Sequence, residues 1–271
     1  MIKFKNYVEI FGKKFYLGED QLIIEALPPH YYEDGTPDLS DVKGLERMTS
    51  LEGLTLELGG ITKIERLQDL IHLEVLNLSH NIIQKIQGLE TLKNLEFINL
   101  EYNFISKLEG LSNLEGLTYL KLNNNKISKI ENLERLKKLE VLDLSFNDIK
   151  KLENLEELTN LVELYLDGNQ IEKIEGIENL RKLKRLRLGG NKLHNIKGIE
   201  KRKSLKWLYI NDNPISDLKG IEHLKYLTDL NILGCDFKEL PELSFLPNLF
   251  YISSDFYSID DTLKRIKKSS S

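Results

Sequence analysis

Leucine recurs every 22 residues from Leu51 to Leu249, through Leu73, Leu95, Leu117, Leu139, Leu161, Leu183, Leu205 and Leu227, without an insertion or deletion. Three residues after each stands Leu or Ile, and five after it Leu or Ile again from Leu56 through Ile232. Eight after comes asparagine in seven successive units: Asn81, Asn103, Asn125, Asn147, Asn169, Asn191 and Asn213. One such L-x-x-L-x-L-x-x-N-x-I unit cannot bury its own apolar edge, so the ten units must stack into a solenoid with a continuous core.

Each part of the unit has a physical task. The L-x-L centre alternates with period two, as a short strand with one buried face does. The apolar residues that follow, such as Ile86, Leu89 and Leu92, step by three, which suits extended turns and short 3₁₀ segments rather than α-helix. This explains a composition of 52 leucines and one alanine, Ala26. The asparagine sits where the chain leaves the strand, and its amide can satisfy turn backbone groups from both sides. Cys235 takes that slot in the ninth unit and reads as a small buried thiol.

These residues resemble the leucine-rich repeat family. The 22-residue period, with an I-x-K-I-E-G-L type segment at Ile83–Leu89 and Ile171–Ile177, is similar to its shortest class. That class includes the repeat-only regulatory subunit of type-one protein phosphatase. Bacterial internalins and a spliceosomal ribonucleoprotein subunit carry similar units. The resemblance covers about residues 39–259. It implies an α/β solenoid, a curved horseshoe with a parallel β-sheet on the concave face and 3₁₀ or extended turns on the convex face.

The chain is expected to divide into an N-terminal cap at 1–50, repeats at 51–248, and a degenerate last repeat with a capping helix at 249–271. In the cap, alternation across Phe11-Gly-Lys-Lys predicts a hairpin and then a strand near Leu22–Ile24, followed by a loop over Pro28–Pro37 and an enlarged first unit. At the other end, Ser258-Ile-Asp-Asp reads as a helix start, with Ile259, Leu263 and Ile266 on one face.

Enzyme signatures are missing: there is no phosphate-binding G-x-x-x-x-G-K-[ST] loop, no G-x-G-x-x-G and no H-E-x-x-H. The five histidines fall at different repeat positions. The expectation is a non-catalytic protein without cofactor or metal. One cysteine excludes an intramolecular disulfide. No stretch near the start reads as a secretory signal and none is long enough to span a membrane, so a cytoplasmic or nuclear, non-membrane, monomeric protein is expected. Lysines at 63, 85, 107, 129, 151 and 173, with glutamates two residues on at 65, 109, 131, 153 and 175, predict a solvated ion-pair lattice.

Function should lie in residues that stacking does not require. Strand residues between the buried leucines face the concave side, where Phe97, Tyr119, Tyr165, Trp207, Tyr209 and Tyr251 are aromatic at positions expected to be wet. Tyr102, Phe146 and Phe256 extend the set at the strand ends. With Glu101 and Asp143 they form the candidate surface for a folded protein partner. The resemblance points to a Ser/Thr phosphatase catalytic subunit, in a regulatory or scaffold role. Residues 181–206 hold eleven Lys/Arg and one acid, Glu200, a local charge of +10 within a net charge of −5. Lys184, Arg185, Arg187 and Lys206 are therefore a candidate contact for an acidic or phosphorylated partner, or for nucleic acid, with Gly189-Gly190 leaving room beside the arginines. Internal neutralisation by Glu163, Asp167, Asp212 and Asp229 is the competing reading. An internalin-like adhesin is a further alternative.

Overall fold

The structure is a computed structural model that describes residues 7–10, 13–16, 21–24, 39, 42–57, 60–239 and 241–255. It divides into two compact units, Met1–Ile127 with Glu131–Leu139 and Ser128–Ile130 with Glu140–Ser271. Each is a stack of short parallel strands, the solenoid that the repeat demands.

The first unit opens with an antiparallel hairpin, β1 (Tyr7–Ile10) against β2 (Lys13–Tyr16). Strand β3 (Gln21–Ile24) then starts a parallel sheet continued by β4 (Gly53–Leu56), β5 (Val75–Asn77), β6 (Phe97–Asn99) and β7 (Tyr119–Lys121). Gln21 pairs with Gly53 across 32 residues, whereas Gly53 pairs with Val75 and Val75 with Phe97 at the regular spacing. The first interval between paired strands is thus longer than the 22 residues that separate the later ones. The Pro28–Pro37 segment, Phe256 and the helix expected from Ser258 lie outside the described residues.

The second unit repeats the pattern with β8 (Val141–Asp143), β9 (Glu163–Tyr165), β10 (Arg185–Arg187), β11 (Trp207–Tyr209), β12 (Asp229–Asn231) and β13 (Tyr251–Ser253). All pair in parallel and in register. Among the described residues there is no α-helix; 3₁₀ turns stand at Leu45–Arg47 and Ile221–His223. The period-three segments instead make isolated i→i+3 bonds, such as Leu70 N–H to Leu67 O and Leu73 N–H to Leu70 O, both 3.0 Å.

Within a turn, the apolar positions converge on one core. Leu73, Leu76, Leu78, Ile83, Ile86, Leu89 and Leu92 are all 1% exposed or less. Each such side chain contributes about 2 kcal/mol by leaving water. The asparagines close the polar side. Asn103 Oδ1 accepts the Ile83 N–H at 2.9 Å, and its Nδ2 donates to Leu78 O at 3.0 Å and Leu100 O at 3.1 Å. Asn191 repeats this with Ile171, Leu166 and Leu188. A backbone donor and acceptors from adjacent turns are thereby satisfied without water.

Cys235 keeps half of the arrangement: its thiol donates to Ile210 O at 3.3 Å, but it has no amide oxygen, and the Ile215 N–H turns to Asn213 O. Burial pushes that thiol up to about 11. Arg202 occupies a position that is leucine in the neighbouring turns, and it is 4% exposed. Its Nη1 donates to Ile177 O at 2.9 Å, while its Nε is buried without a partner. Burial lowers its pKa, and Arg181 adds to that effect against Glu178.

Counting each turn from its first leucine as position 0, two positions are left-handed in turn after turn, Glu242 at position 15 being the exception among the described residues. Position 7 has positive φ at His80, Tyr102, Asn124, Phe146, Gly168, Gly190, Asp212 and Gly234. Position 15 does so at Arg66, Gly88, Gly110, Asn132, Asn154, Gly176, Gly198 and Gly220. At Gly110 an added Cβ would sit 2.3 Å from Ile86 O. Where asparagine replaces glycine there, its side chain bonds the equivalent carbonyl, Asn132 to Leu108 O and Asn154 to Ile130 O, each at 2.7 Å. The expected lysine–glutamate lattice is not what holds the outer side. Lys63, Lys85, Lys107, Lys151 and Lys173 are exposed and form no ion pair, because a long solvated side chain gains little from a neighbouring carboxylate.

Candidate functional site

In-register pairing sets residues 22 apart side by side, so the outward strand positions form two columns on the sheet of each unit. In the second unit Arg185 stands between Glu163 and Trp207, and Arg187 between Tyr165 and Tyr209. The columns interleave charge and aromatic rings. The Arg185 guanidinium lies 4.6 Å from the Trp207 ring centroid. That of Arg187 lies 5.3 Å from Tyr209 and 6.0 Å from Tyr165. Such stacking immobilises both partners and leaves a flat, half-exposed surface.

The same two arginines are held by acids of the preceding turn. Arg185 Nη1 donates to Glu163 Oε2 at 3.2 Å and to the Tyr165 hydroxyl at 3.1 Å. The Tyr165 hydroxyl in turn donates to Glu163 Oε2. Burial, reinforced by that bond, pushes the Tyr165 phenol up to about 12. Arg187 Nε meets Asp167 Oδ2 at 2.6 Å, and the Gly189 N–H donates to Asp167 Oδ1 at 2.8 Å. Burial raises the Asp167 pKa, although Arg187 and the Gly189 N–H pull it down. Of the four acids named from sequence, Glu163 and Asp167 therefore neutralise the arginines. Asp229 instead accepts from Thr228 Oγ1 at 2.6 Å and Asp212 from Asn211 Nδ2 at 2.7 Å. The room expected beside Gly189 is filled: an added Cβ would lie 2.7 Å from Asn211 Oδ1.

Lys184 and Lys206 do not join the arginines. They immediately precede β10 and β11 and are exposed at the edge where the strands begin. Tyr251 lies beyond Asp229 from Trp207, with its hydroxyl 3.3 Å from Ser253 Oγ. Asp143 Oδ1 accepts the Ser145 N–H at 2.9 Å.

In the first unit, Phe97 and Tyr119 stack at 5.1 Å between centroids and are half-buried. Glu101 is half-buried beside them, and its N–H donates to Asn99 Oδ1 at 3.0 Å. Tyr102, named from the sequence, has a partner that sequence reasoning missed, His80. His80 stacks on Tyr102 at 4.5 Å and 11°, with Ile82 and Phe104 exposed beside them. Among the described residues, no group of three or more His, Cys, Asp or Glu side chains could hold a metal ion, and no helix is long and apolar enough to cross a membrane.

The family model for leucine-rich repeats, two copies per match, covers residues 71–113, 115–158 and 159–201. No curated protein matches by sequence. Among solved structures, the chain is similar to a leucine-rich repeat protein from Leptospira interrogans, with TM-score 0.72 and 26% identity over 89% of this chain and 67% of that one. It is similar in fold to an internalin, inlF, from Listeria monocytogenes, with TM-score 0.59 and 24% identity over 93% of this chain and 84% of that one. It also shares its fold with the leucine-rich repeat ectodomain of a plant membrane receptor kinase from Arabidopsis thaliana, with TM-score 0.62 and 24% identity over 81% of this chain and 31% of that one.

Proposed function

We propose that this chain, whose residues 71–113, 115–158 and 159–201 match the leucine-rich repeat model, is a non-catalytic binding module that grips a folded protein on the sheet of its second unit. The observation that carries this reading is the ladder Glu163–Arg185–Trp207 beside Tyr165–Arg187–Tyr209. The arginines are neutralised within the molecule, so the ladder offers rigid aromatic and guanidinium faces rather than free charge. Trp, Tyr and Arg are the residue types that dominate binding hot spots, and held rigid they lose little entropy on contact. The Phe97–Tyr119 pair with Glu101 is a secondary contact area on the first unit.

The short repeat class suggests the first partner to test, a Ser/Thr phosphatase catalytic subunit met in the cytoplasm or nucleus, with this chain as its regulatory or scaffold subunit. The test is affinity capture from cell extract and direct titration with the purified phosphatase, comparing the wild type with Trp207→Ala/Tyr209→Ala. Both residues are half-exposed, so the double variant should melt within a few degrees of the wild type. Capture should fall at least a hundredfold, two hot-spot residues being worth about 2 kcal/mol or more each. Unchanged capture would reject this face, and titration without binding would reject the phosphatase while leaving the face to another protein.

A further inference from the structure

We infer a second binding site, separate from the sheet face, for single-stranded nucleic acid along the edge of the second unit where its strands begin. Its first component is charge without counter-charge. Arg181, Lys184, Lys201, Lys203 and Lys206 are all exposed and form no ion pair, in contrast to Arg185 and Arg187 on the adjoining face. Lys182 bonds only the neutral Asn160, at 2.7 Å. Arg181 and Lys182 line a groove of about 540 Å³ with Thr159, Asn160 and Asn179. The local +10 therefore resides mainly here.

The second component is aromatic. Over the next turns the same edge carries Tyr226, Phe245 and Phe250, which are 61%, 36% and 64% exposed. Bonds between turns show that these segments adjoin the cations: Ser204 Oγ to Leu183 O at 2.7 Å, Thr228 Oγ1 to Lys206 O at 3.0 Å, and Lys225 Nζ to Phe245 O at 3.0 Å. Cations that track phosphates beside rings that stack bases are what a single strand requires. An acidic peptide would use the cations but not the bare rings.

The third component is Arg202. Leucine fills this core position in the turns on either side, yet here a guanidinium is buried under the basic edge with its Nε unpartnered. Burying a cation costs stability, and the bond to Ile177 O with the attraction of Glu178 offsets only part of it, since burial still outweighs them. A bound polyanion supplies the missing compensation.

Fluorescence anisotropy with a labelled single-stranded RNA of roughly 12 nucleotides tests the site on the full chain. The wild type should bind at low salt with affinity falling steeply as salt rises. Lys203→Glu/Lys206→Glu should weaken binding more than tenfold and shallow the log–log salt slope by about 0.7 per lost phosphate contact. Tyr226→Ala/Phe250→Ala should weaken it roughly tenfold or more with the slope unchanged. Lys85→Glu/Lys107→Glu, with the same change in net charge, should leave it unaltered. Arg202→Leu should raise the Tm and weaken binding severalfold. Absence of binding at low salt overturns the site. So does binding that the aromatic variants leave intact and a phosphorylated peptide displaces, which assigns the edge to an acidic protein. Neither outcome bears on the sheet face, whose test involves no nucleic acid.

Discussion

At the scale of single residues, the turns are held by side chains that serve the backbone. Asn103 and its equivalents satisfy groups that no water reaches, and the repeat spacing alone identified them. Asn103→Ala strands the Ile83 N–H in the interior, at about 1–3 kcal/mol, and takes one of two amide donors from each of the Leu78 and Leu100 carbonyls, which keep Asn81 and Asn125. Stability in urea should fall by about 3 kcal/mol; a loss under about 1 kcal/mol would show that water enters the slot. The left-handed positions were less legible. Gly168, Gly190 and Gly234 pointed to them, but Tyr102 and Phe146 share position 7 and obscure the pattern. A large side chain there costs about 1–2 kcal/mol. Tyr102 recovers part of it by stacking on His80, and Phe146 by covering Gly168, where an added Cβ would lie 2.5 Å from its ring.

At the scale of one turn, each unit is a nearest-neighbour stack. Strands of three residues, such as Phe97–Asn99, are too short to stand alone and exist because both neighbours pair with them. Their positions were readable from L-x-L alternation, since strand period and leucine period agree. The arginine ion pairs were only half readable: the sequence named four acids, and the choice of Glu163 and Asp167 depends on both standing one turn before their arginines. Register has a direct test. Deleting residues 95–116 joins Asn94 to Leu117 and removes one whole turn, so the chain should keep its circular-dichroism spectrum and cooperative melt. Deleting 95–105 places polar residues in core slots and should abolish the melt. Equal loss in both variants would show that the turns are not interchangeable.

At the scale of the molecule, a net charge of −5 conceals segregation rather than mixing. The sequence located the basic band by counting, but could not separate its face from its edge, because that depends on where each side chain points. The arginines on the sheet are partly buried and paired, whereas the edge lysines repel one another through water. Repulsion between exposed charges is screened by salt, while partly buried pairs are screened less. The Tm should accordingly rise by a few degrees between roughly 50 and 500 mM sodium chloride; a falling Tm would mean that attractive pairs dominate.

The unbroken register has one more consequence, for how substitutions combine. In most folds, separation along the chain says little about separation in space. Here, within each unit, a strand residue's lateral neighbours are those 22 positions before and after it, as Arg185 has Glu163 and Trp207. Epistasis on the sheet can therefore be read from sequence position alone: strong between Glu163 and Arg185, absent between Glu163 and Trp207 once Arg185 no longer bridges them.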